Sequence, residues 1–394
     1  MSEEKNIIEY FLVDSPLTEK GDRALSNFIC GYMVIQAIHN FMALTDHNGS
    51  LWQVLSKGIM AVLLLICIFH IVRRVFFASV VAELLLTGCL LFSFFYADVS
   101  EGFSSLSFNL LFAYLPMGLA CYAINDYSIL LKRLYKSAIL IEIVTLVTFL
   151  VAQLATYSMT SGFLLLLPIL LHIDRYIKRK KWYDALLPII DIAFIIMYAS
   201  RGPILCIGIY ITMFILFESS VDKRKKTLFI LLTLLLSFIL YVNLFSINEL
   251  FSKATGNQDQ GSRTIRLVQT NAIGYDANRF SIFIHYGNKI LQTPIWGKGL
   301  AASWDYSSYP HNVVLELCLA FGIPIGGMLS ISLLHVWLFG IRQHNDTLRR
   351  LSQLFVAGTV SLMWSGTFLK DPTFFVCLAL CLKGYKKRYR NPLF

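Results

Sequence analysis

The sequence predicts an all-α protein embedded in a membrane through about 12 helices. Of its 394 residues, 56% are hydrophobic and only 15% are charged, a balance unusual for a soluble domain. The apolar residues gather into long runs, and a run of about 18 or more such residues is typical of a membrane-spanning helix. Basic residues occupy every second connection between these runs, which is the usual charge pattern of a multi-pass membrane protein.

Twelve apolar runs are candidate spans, of which the sixth, eighth and twelfth are short. They cover residues 24–44, 51–72, 75–97, 104–124, 137–157, 161–174, 183–200, 203–217, 227–247, 311–340, 352–369 and 372–385. Residues 1–23 lack the continuous apolar core of a cleavable signal peptide, so a cytoplasmic leader is expected there. Residues 24–247 would then hold the first nine spans, and residues 311–394 the last three with a basic cytoplasmic tail.

The net charge of +10 indicates membrane orientation rather than a nucleic-acid partner. The basic clusters are Arg73-Arg74, Lys132-Arg133 with Lys136, Arg175 with Lys178–Lys181, Lys223–Lys226, Arg342 with Arg349-Arg350, and Lys386–Arg390. The intervening connections DHNGS, DVSEGF and TYSMT contain no lysine or arginine. Since basic connections stay in the cytoplasm, both termini are predicted to be cytoplasmic.

The turn Ser200-Arg201-Gly202-Pro203 separates the seventh and eighth spans and faces the outside in this topology. Gly202 is expected to permit a sharp reversal, and Pro203 to open the next helix. Arg201 is unusual on a face that is otherwise poor in basic residues. It pairs either with a lipid headgroup or carboxylate, or with an anionic substrate beside the membrane.

The ninth span is followed by the one large outside connection, residues 248–310, whose polar first part carries Arg263 and Arg266. Helical periodicity returns from Arg279 to Leu291. The apolar positions of this stretch are Phe280, Phe283, Ile284 and Ile290. The pattern predicts an amphipathic helix that lies near the membrane surface.

The end of this large connection combines turn residues with aromatic rings. Pro294 should end the amphipathic helix, and Gly297–Gly299 should form a flexible turn. An aromatic cluster follows at Trp304, Tyr306 and Tyr309. Because Trp and Tyr are common at membrane interfaces, these rings either anchor the segment or stack on the apolar faces of sugars.

The tenth span begins directly after Pro310, with His311 and Asn312. In the first turn of a helix the dipole disfavours a cationic imidazole, so a neutral His311 that can accept a proton is expected. Glu316 shares a helical face with Asn312 at four-residue spacing. A lone histidine at a helix start is more often structural, but these neighbours favour a catalytic base.

These segments resemble the family of bacterial O-antigen polymerases and O-antigen ligases. Ser200-Arg201-Gly202 is similar to the family's turn at the outer membrane edge. Arg279 with its helix and Pro294–Leu300 is similar to the arginine helix and the proline-glycine segment that follows it. The stretch His311–Gly327, HNVVLELCLAFGIPIGG, is similar to the family's histidine-asparagine helix and is the most specific part of the match.

The resemblance implies an inverting, GT-C-like membrane glycosyltransferase that uses no metal or other cofactor. Its donor would be an oligosaccharide on undecaprenyl diphosphate, used at the periplasmic face of the bacterial inner membrane. Arg201 and Arg279 would bind the diphosphate, with help from Arg263 or Arg266, because planar guanidinium groups match phosphate oxygens. His311 would orient or deprotonate the acceptor hydroxyl that attacks the anomeric carbon.

Further residues complete the expected site. Five are expected to bind sugars or support the site: Asn312, Glu316, Trp304, Tyr306 and Tyr309. Asn278 and Phe283 differ from the glycine and tryptophan common in the family, which makes Arg263 the alternative to Arg279 as the main arginine of the loop. The chain has no Asp-x-Asp pair, and its eight cysteines lie in or beside apolar runs without metal-site or redox spacing.

Three functions remain open at this stage. A polymerase would add the oligosaccharide to another lipid-linked repeat unit, whereas a ligase would add it to the lipid A-core. A transporter or flippase for lipid-linked glycans is the alternative of another class, since about 12 spans are typical of transporters. Expected partners are the lipid-linked oligosaccharide and, in the same membrane, a chain-length regulator and a flippase.

Overall fold

The computed structural model describes residues 16–45, 50–96, 103–151, 159–197, 201–217, 279–301 and 309–390. All regular elements in these ranges are helical. The chain divides into two compact units. Unit 1 comprises Met1–Ile35, Asn48–Ser137 and Ser281–Phe394, and unit 2 comprises Gln36–His47 and Ala138–Phe280.

The described helices are numbered in chain order. They are α1 (Pro16–Leu44), α2 (Ser50–Tyr96), α3 (Phe103–Asn109), α4 (Leu115–Ala123), α5 (Tyr127–Val151), α6 (Met159–Arg179), α7 (Leu186–Met197), α8 (Arg201–Phe217), α9 (Arg279–Gln292), α10 (Val313–Gly340), α11 (Asp346–Thr359) and α12 (Pro372–Arg390). A π-helical segment, Leu110–Tyr114, joins α3 to α4, and short 3-10 helices occupy Trp182–Ala185, Val360–Met363 and Phe368–Lys370.

Six helical segments in the described ranges are long and apolar enough to cross a membrane: α1, α2, α3 with α4, α5, α6 and α10. The chain is therefore a helical membrane protein, as the sequence predicts. Two shorter apolar helices lie in α8 and α12. The predicted ninth span, 227–247, lies outside the described residues. The count of 12 spans and the orientation of the chain stay predictions.

Helix α2 consists of two helical parts that meet at a kink, at the boundary between the predicted spans 51–72 and 75–97. Its 47 residues include a single non-helical position, Val75 (φ −139°, ψ 33°), directly after Arg73 and Arg74. Arginine is a good helix former, and neither glycine nor proline lies beside the pair, so the sequence offers no strong stop signal there. At 1.5 Å per residue the parts before and after Val75 extend about 38 and 32 Å, so each is long enough to cross a hydrocarbon core of about 30 Å.

Several other boundaries differ from the predicted ones. Helix α5 starts ten residues before the predicted span 137–157, because its lysines and arginine continue the helix rather than ending it. Helix α1 likewise starts at Pro16, inside the predicted leader. The predicted span 352–369 corresponds to α11, which ends at Thr359, and to the 3-10 turns that follow it.

A buried ion pair ties together one end of unit 1. Arg74 forms a salt bridge with Asp22 and donates a hydrogen bond of 3.1 Å to the Ala123 carbonyl. The backbone N–H groups of Asn125 and Asp126 donate to the same carboxylate at 3.2 and 3.0 Å. Because the Asp22 carboxylate is both paired and hydrogen-bonded, its burial is compensated. The contact joins α1, the middle of α2 and the turn between α4 and α5.

Helices α10, α11 and α12 pack against one another in unit 1. After the end of α10, the Gln343 side chain donates to the Leu380 carbonyl and the Ser352 hydroxyl, both at 3.3 Å. At the opposite end, Asn312 before α10 contacts Met363 after α11. These contacts fix an antiparallel order and bring the start of α10 beside the turn between α11 and α12.

Unit 2 contains α6, α7 and α8, which pack against one another. Gly202 lies inside α8 rather than in a reversal, so the expectation of a sharp turn at this glycine is wrong. A Cβ atom at Gly202 would lie 2.7 Å from Cζ of Phe163 on α6. The small residue serves close packing of α8 on α6.

Candidate functional site

The candidate site lies at the start of α10, where Asn312 forms the N-cap. Its Oδ1 accepts hydrogen bonds from the N–H groups of Val314 (3.0 Å) and Leu315 (3.1 Å). Asn312 has extended backbone angles, φ −151° and ψ 118°, as an N-cap residue requires. The helix therefore begins at Val313, and the expectation that His311 occupies its first turn is wrong. A capping asparagine satisfies the first N–H groups and sets the start of the helix.

His311 precedes the cap in a left-handed conformation. Its φ of +54° is uncommon for a residue with a side chain. The imidazole is half-buried, and its centroid lies 4.1 Å from that of the Tyr309 ring at a tilt of 48°. Residues in such conformations persist only where their surroundings hold them, and they are frequent at functional sites. The structure thus brings two predicted site residues, His311 and Tyr309, into contact.

Asn312 and Glu316 connect the start of α10 to the turn between α11 and α12. The amide Nδ2 of Asn312 donates to the Met363 carbonyl at 2.8 Å. Glu316 is 4% exposed, and its carboxyl group accepts hydrogen bonds from the Thr367 hydroxyl and the Phe368 backbone N–H. Both predicted residues therefore attach the start of α10, next to His311, to the turn between α11 and α12.

Helix α10 is broken at Gly322, which has φ +77° and ψ 169°. In an unbroken helix the Leu319 carbonyl would accept from Ile323, and the Ala320 carbonyl from residue 324. Residue 324 is a proline and has no N–H to donate. The break therefore frees two carbonyl groups within a membrane helix, where each needs another partner.

The segment Pro294–Gly299 supplies these partners. The N–H of Lys298 donates to the Leu319 carbonyl at 2.7 Å, and the N–H of Gly299 donates to the Ala320 carbonyl at 3.0 Å. In the other direction, Ile323 donates its N–H to the Pro294 carbonyl at 2.7 Å. We call this arrangement the α10 joint. It unites two motifs that are separate in the sequence, Pro294–Leu300 and Phe321–Gly327.

Glycines make the α10 joint possible. A Cβ atom at Gly297 would lie 2.4 Å from the nitrogen of Gly322, and one at Gly322 would lie 2.1 Å from the Ile295 oxygen. A Cβ atom at Gly326 would lie 2.5 Å from the Leu317 oxygen. Residues nine apart on a straight helix are separated by about 13 Å along its axis, so this approach shows that α10 bends sharply.

The bend divides α10 into parts of unequal length. The first part, residues 313–321, is about 14 Å long, too short to cross a bilayer. The second part, residues 323–340, is about 27 Å long, close to the thickness of the hydrocarbon core. Broken helices with one short part are a recurrent feature of substrate sites in membrane proteins.

Helix α9 packs on the first part of α10. Tyr286 and Ile290 are buried against Leu319, with Ile282 packed beside them. The predicted amphipathic helix is confirmed as a helix that ends before Pro294. Its face against α10 includes the predicted Ile290 together with Ile282 and Tyr286, which were not predicted. Ile284 is 51% exposed. The four-residue spacing from Ile282 through Tyr286 to Ile290 defines the packed face.

The predicted arginines are only partly described. Arg201 is the first residue of α8 and Arg279 the first of α9. The structure describes their backbones and not their side chains. The remaining predicted residues outside the described ranges are Arg263, Arg266, Trp304 and Tyr306. The structure therefore gathers His311, Tyr309, Asn312 and Glu316 at the start of α10 and does not test whether the arginines converge there.

Sequence analysis missed the turn between α11 and α12, in particular Thr367 and Asp371. Asp371 precedes Pro372 and accepts hydrogen bonds from the Thr373 N–H (2.9 Å) and hydroxyl (2.5 Å). Burial raises the pKa of Asp371, and the Thr373 donors and the Phe374 N–H offset part of that rise. An Asp-Pro pair before an apolar run is a helix-start signal and marks this turn in the sequence.

The fold defines the chain as a helical membrane protein, and comparisons with known proteins add no family. No protein-family model, no curated protein and no solved structure matches the chain. Within the described ranges, no group of three or more His, Cys, Asp or Glu side chains could hold a metal ion.

Proposed function

We propose that this protein is a membrane glycosyltransferase of the O-antigen polymerase type. It transfers an oligosaccharide from undecaprenyl diphosphate to the acceptor sugar of another lipid-linked repeat unit, with inversion at the anomeric carbon. The α10 joint carries this proposal. Two stretches that resemble the polymerase and ligase family, Pro294–Leu300 and Phe321–Gly327, are its two halves. Phe321–Gly327 is the end of the resembling stretch that starts at His311, directly before the same broken helix.

The broken helix suits a diphosphate donor. The positive end of a short membrane half-helix favours anionic groups, and the first part of α10 begins beside His311. Arg201 and Arg279, each at the start of a described helix, would stabilise the charge that develops on the leaving diphosphate. In this mechanism arginines take the place of a divalent cation, so no metal is required.

His311 would act on the acceptor hydroxyl. As general base it takes the hydroxyl proton while the oxygen attacks the anomeric carbon opposite the departing diphosphate. Asn312 and Glu316 position it through their bonds to Met363 and Thr367. The Tyr309 ring, 4.1 Å from the imidazole, limits its rotation.

The contacts of unit 1 support a site at the periplasmic face of the inner membrane. At one end Asn312, which the charge pattern assigns to the outside, contacts Met363 in the outer half of the predicted span 352–369. Residues assigned to the cytoplasm also meet one another: Asp22 pairs with Arg74. This grouping agrees with alternation of the connections between two sides.

One observation favours a transporter as the second candidate function. Glu142, His172 and Asp191 are ionisable groups buried among the helices of unit 2. Buried ionisable groups in membrane segments often mark ion pathways. The polymerase remains the proposal because two stretches that resemble the polymerase and ligase family meet at the α10 joint.

The test is a reconstitution of the full chain with labelled lipid-linked oligosaccharide in proteoliposomes. Growth of the glycan identifies a polymerase, and transfer only to added lipid A-core identifies a ligase. Movement across the bilayer without a new glycosidic bond identifies a transporter. His311→Gln should strongly slow glycan growth, whereas His335→Gln, the same change at an exposed position of α10, should leave it intact.

A further inference from the structure

Unit 2 buries three ionisable side chains that the proposed reaction does not use. Glu142 lies on α5, His172 on α6 and Asp191 on α7. The exposed fractions are 10% for Glu142, 1% for His172 and 4% for Asp191. Each comes from a different helix, so their meeting is a property of the packed unit. Ionisable groups in this setting are costly, and those that occur usually serve a function.

The three groups are in contact. His172 Nε2 lies 2.7 Å from Glu142 Oε1. The Asp191 carboxyl lies within hydrogen-bonding reach of Glu142. Its Oδ2 atom is buried and has no hydrogen-bond partner among the described residues. Two ionised carboxylates in contact would repel each other strongly in a low-dielectric interior, whereas a proton between them converts repulsion into a hydrogen bond.

Neighbouring charges do not relieve this cluster, because they already have partners. On α6, Asp174 accepts a hydrogen bond of 3.5 Å from the Tyr210 hydroxyl of α8. Arg175, also on α6, pairs with Asp184 of the following 3-10 helix, with Nε and Oδ1 2.9 Å apart. Neither of these contacts involves the cluster, and the charge of the cluster can be balanced within it. One proton shared by the carboxyls and one on the imidazole would make it neutral.

The cluster lies near the basic ends of its helices. Glu142 follows Lys136 by six residues and His172 precedes Arg179 by seven, which place them about 9–10 Å along the helix axes from these cations. Asp191 lies five residues into α7, about 8 Å from its start. A depth of about two turns allows exchange with water at one face while the groups stay buried.

From these contacts we propose that Glu142, His172 and Asp191 form a proton-binding site inside unit 2. The proton shared by the Glu142 and Asp191 carboxyl groups is the bound ligand, and His172 balances the remaining negative charge. Protons enter and leave from the basic end of the unit. This site is separate in role from the start of α10, so its occurrence does not depend on the proposed glycosyltransferase activity.

Infrared spectroscopy of the full-length protein in lipid tests the site directly. A protonated carboxylic acid has a carbonyl stretching band separate from that of a carboxylate. The wild-type protein should show this band at neutral pH, and the band should disappear on a reversible shift to alkaline pH. Asp191→Asn and Glu142→Gln should each remove it. Asp126→Asn, a matched change at an exposed carboxyl, should leave it unchanged.

A labelling experiment keeps the test valid where a variant fails to fold. Wild-type protein with a carbon-13 label in its aspartate carboxyl groups should show the band at lower frequency, because the heavier carbon slows the carbonyl stretch of the Asp191 carboxyl group that shares the proton. Absence of a carbonyl band at neutral pH overturns the proposal, as does a band unaffected by the label and by both substitutions. Loss of the band on addition of sodium at constant pH also overturns it, because the site would then bind a metal cation.

Discussion

The α10 joint makes a sharp prediction for Gly322→Ala. Gly322 has φ +77° and ψ 169°, a conformation available almost only to glycine. A Cβ atom there would lie 2.1 Å from the Ile295 oxygen and 2.9 Å from the Pro294 oxygen. Both are backbone atoms, so no side chain can rotate to make room. The substitution must either move the Pro294–Gly299 segment or change the bend of α10.

The loss of folding free energy in Gly322→Ala follows from these contacts. Backbone strain at such a position is about 1–3 kcal/mol. Displacement of the segment would break up to three backbone hydrogen bonds, those of Lys298, Gly299 and Ile323. At about 0.5–1.5 kcal/mol each, their loss brings the total to roughly 3–7 kcal/mol. A loss of this size lowers the midpoint of thermal unfolding by on the order of 10 °C.

Gly327→Ala is the matched control on the same helix. A Cβ atom at Gly327 would meet nothing within 4 Å. Alanine is favoured over glycine in a helix by about 1 kcal/mol, so this variant should unfold at or slightly above the wild-type temperature. The measurement is thermal unfolding of the purified proteins in one detergent, followed by circular dichroism. Equal unfolding temperatures for the two variants would refute the close approach at the joint.

Four further predictions follow from the candidate site. Arg201→Ala and Arg279→Ala should each abolish glycan polymer formation with normal membrane insertion, measured from the glycan profile and the membrane fraction of cells. Turnover should survive a strong chelator, because arginines rather than a divalent cation would neutralise the diphosphate. His311→Gln should lower turnover by roughly 10²–10⁴-fold with little change in donor binding, whereas His335→Gln should not. The raised pKa of Asp371 means that the folded state holds the carboxyl proton more tightly than the unfolded state does. The contribution of Asp371 to the free energy of unfolding should therefore fall as pH rises above about 4. In thermal unfolding scans at several pH values, Asp371→Asn should remove that fall.

Each of these predictions has a result that contradicts it. Near-normal polymer from Arg279→Ala together with none from Arg263→Ala would make Arg263 the main arginine of the loop. Lysine at either predicted position should rescue only in part, since a point charge lacks the planar fork of arginine. Turnover lost on chelation and restored by a divalent ion would exclude the arginine mechanism. Weaker donor binding with unchanged turnover in His311→Gln would make the histidine a binding residue. Identical pH profiles of unfolding for the wild type and Asp371→Asn would show that Asp371 does not cause the pH dependence.

The sequence by itself determined the class of the protein. Long apolar runs must form helices in a bilayer, because every backbone N–H and carbonyl needs a partner where water is absent. Local signals also predicted the helix that starts at Arg279 and stops before Pro294. These features depend on residues that are neighbours in the chain, so composition, periodicity and proline are enough to reveal them.

Other features of the site were decided only by the tertiary structure. Phe321–Gly327 contains glycines and a proline, which predict a break in α10 but do not reveal which groups bond to the freed carbonyls. The N–H groups of Lys298 and Gly299, more than twenty residues away, bond to these carbonyls, and no side-chain pattern encodes such backbone hydrogen bonds. Similarly, His311 looked like a first-turn residue until the bonds of Asn312 fixed the start of the helix.

The packed face of α9 and the proton-binding cluster were likewise decided by the tertiary structure and not by local sequence. Periodicity marked Phe283 and Ile284 but not Ile282 and Tyr286, which pack with Ile290 against α10. Glu142, His172 and Asp191 come from three helices, and their spacing in the chain carries no signal. Local sequence sets which segments become helices, but contacts between distant segments decide which polar groups meet, because burial removes water as the alternative partner.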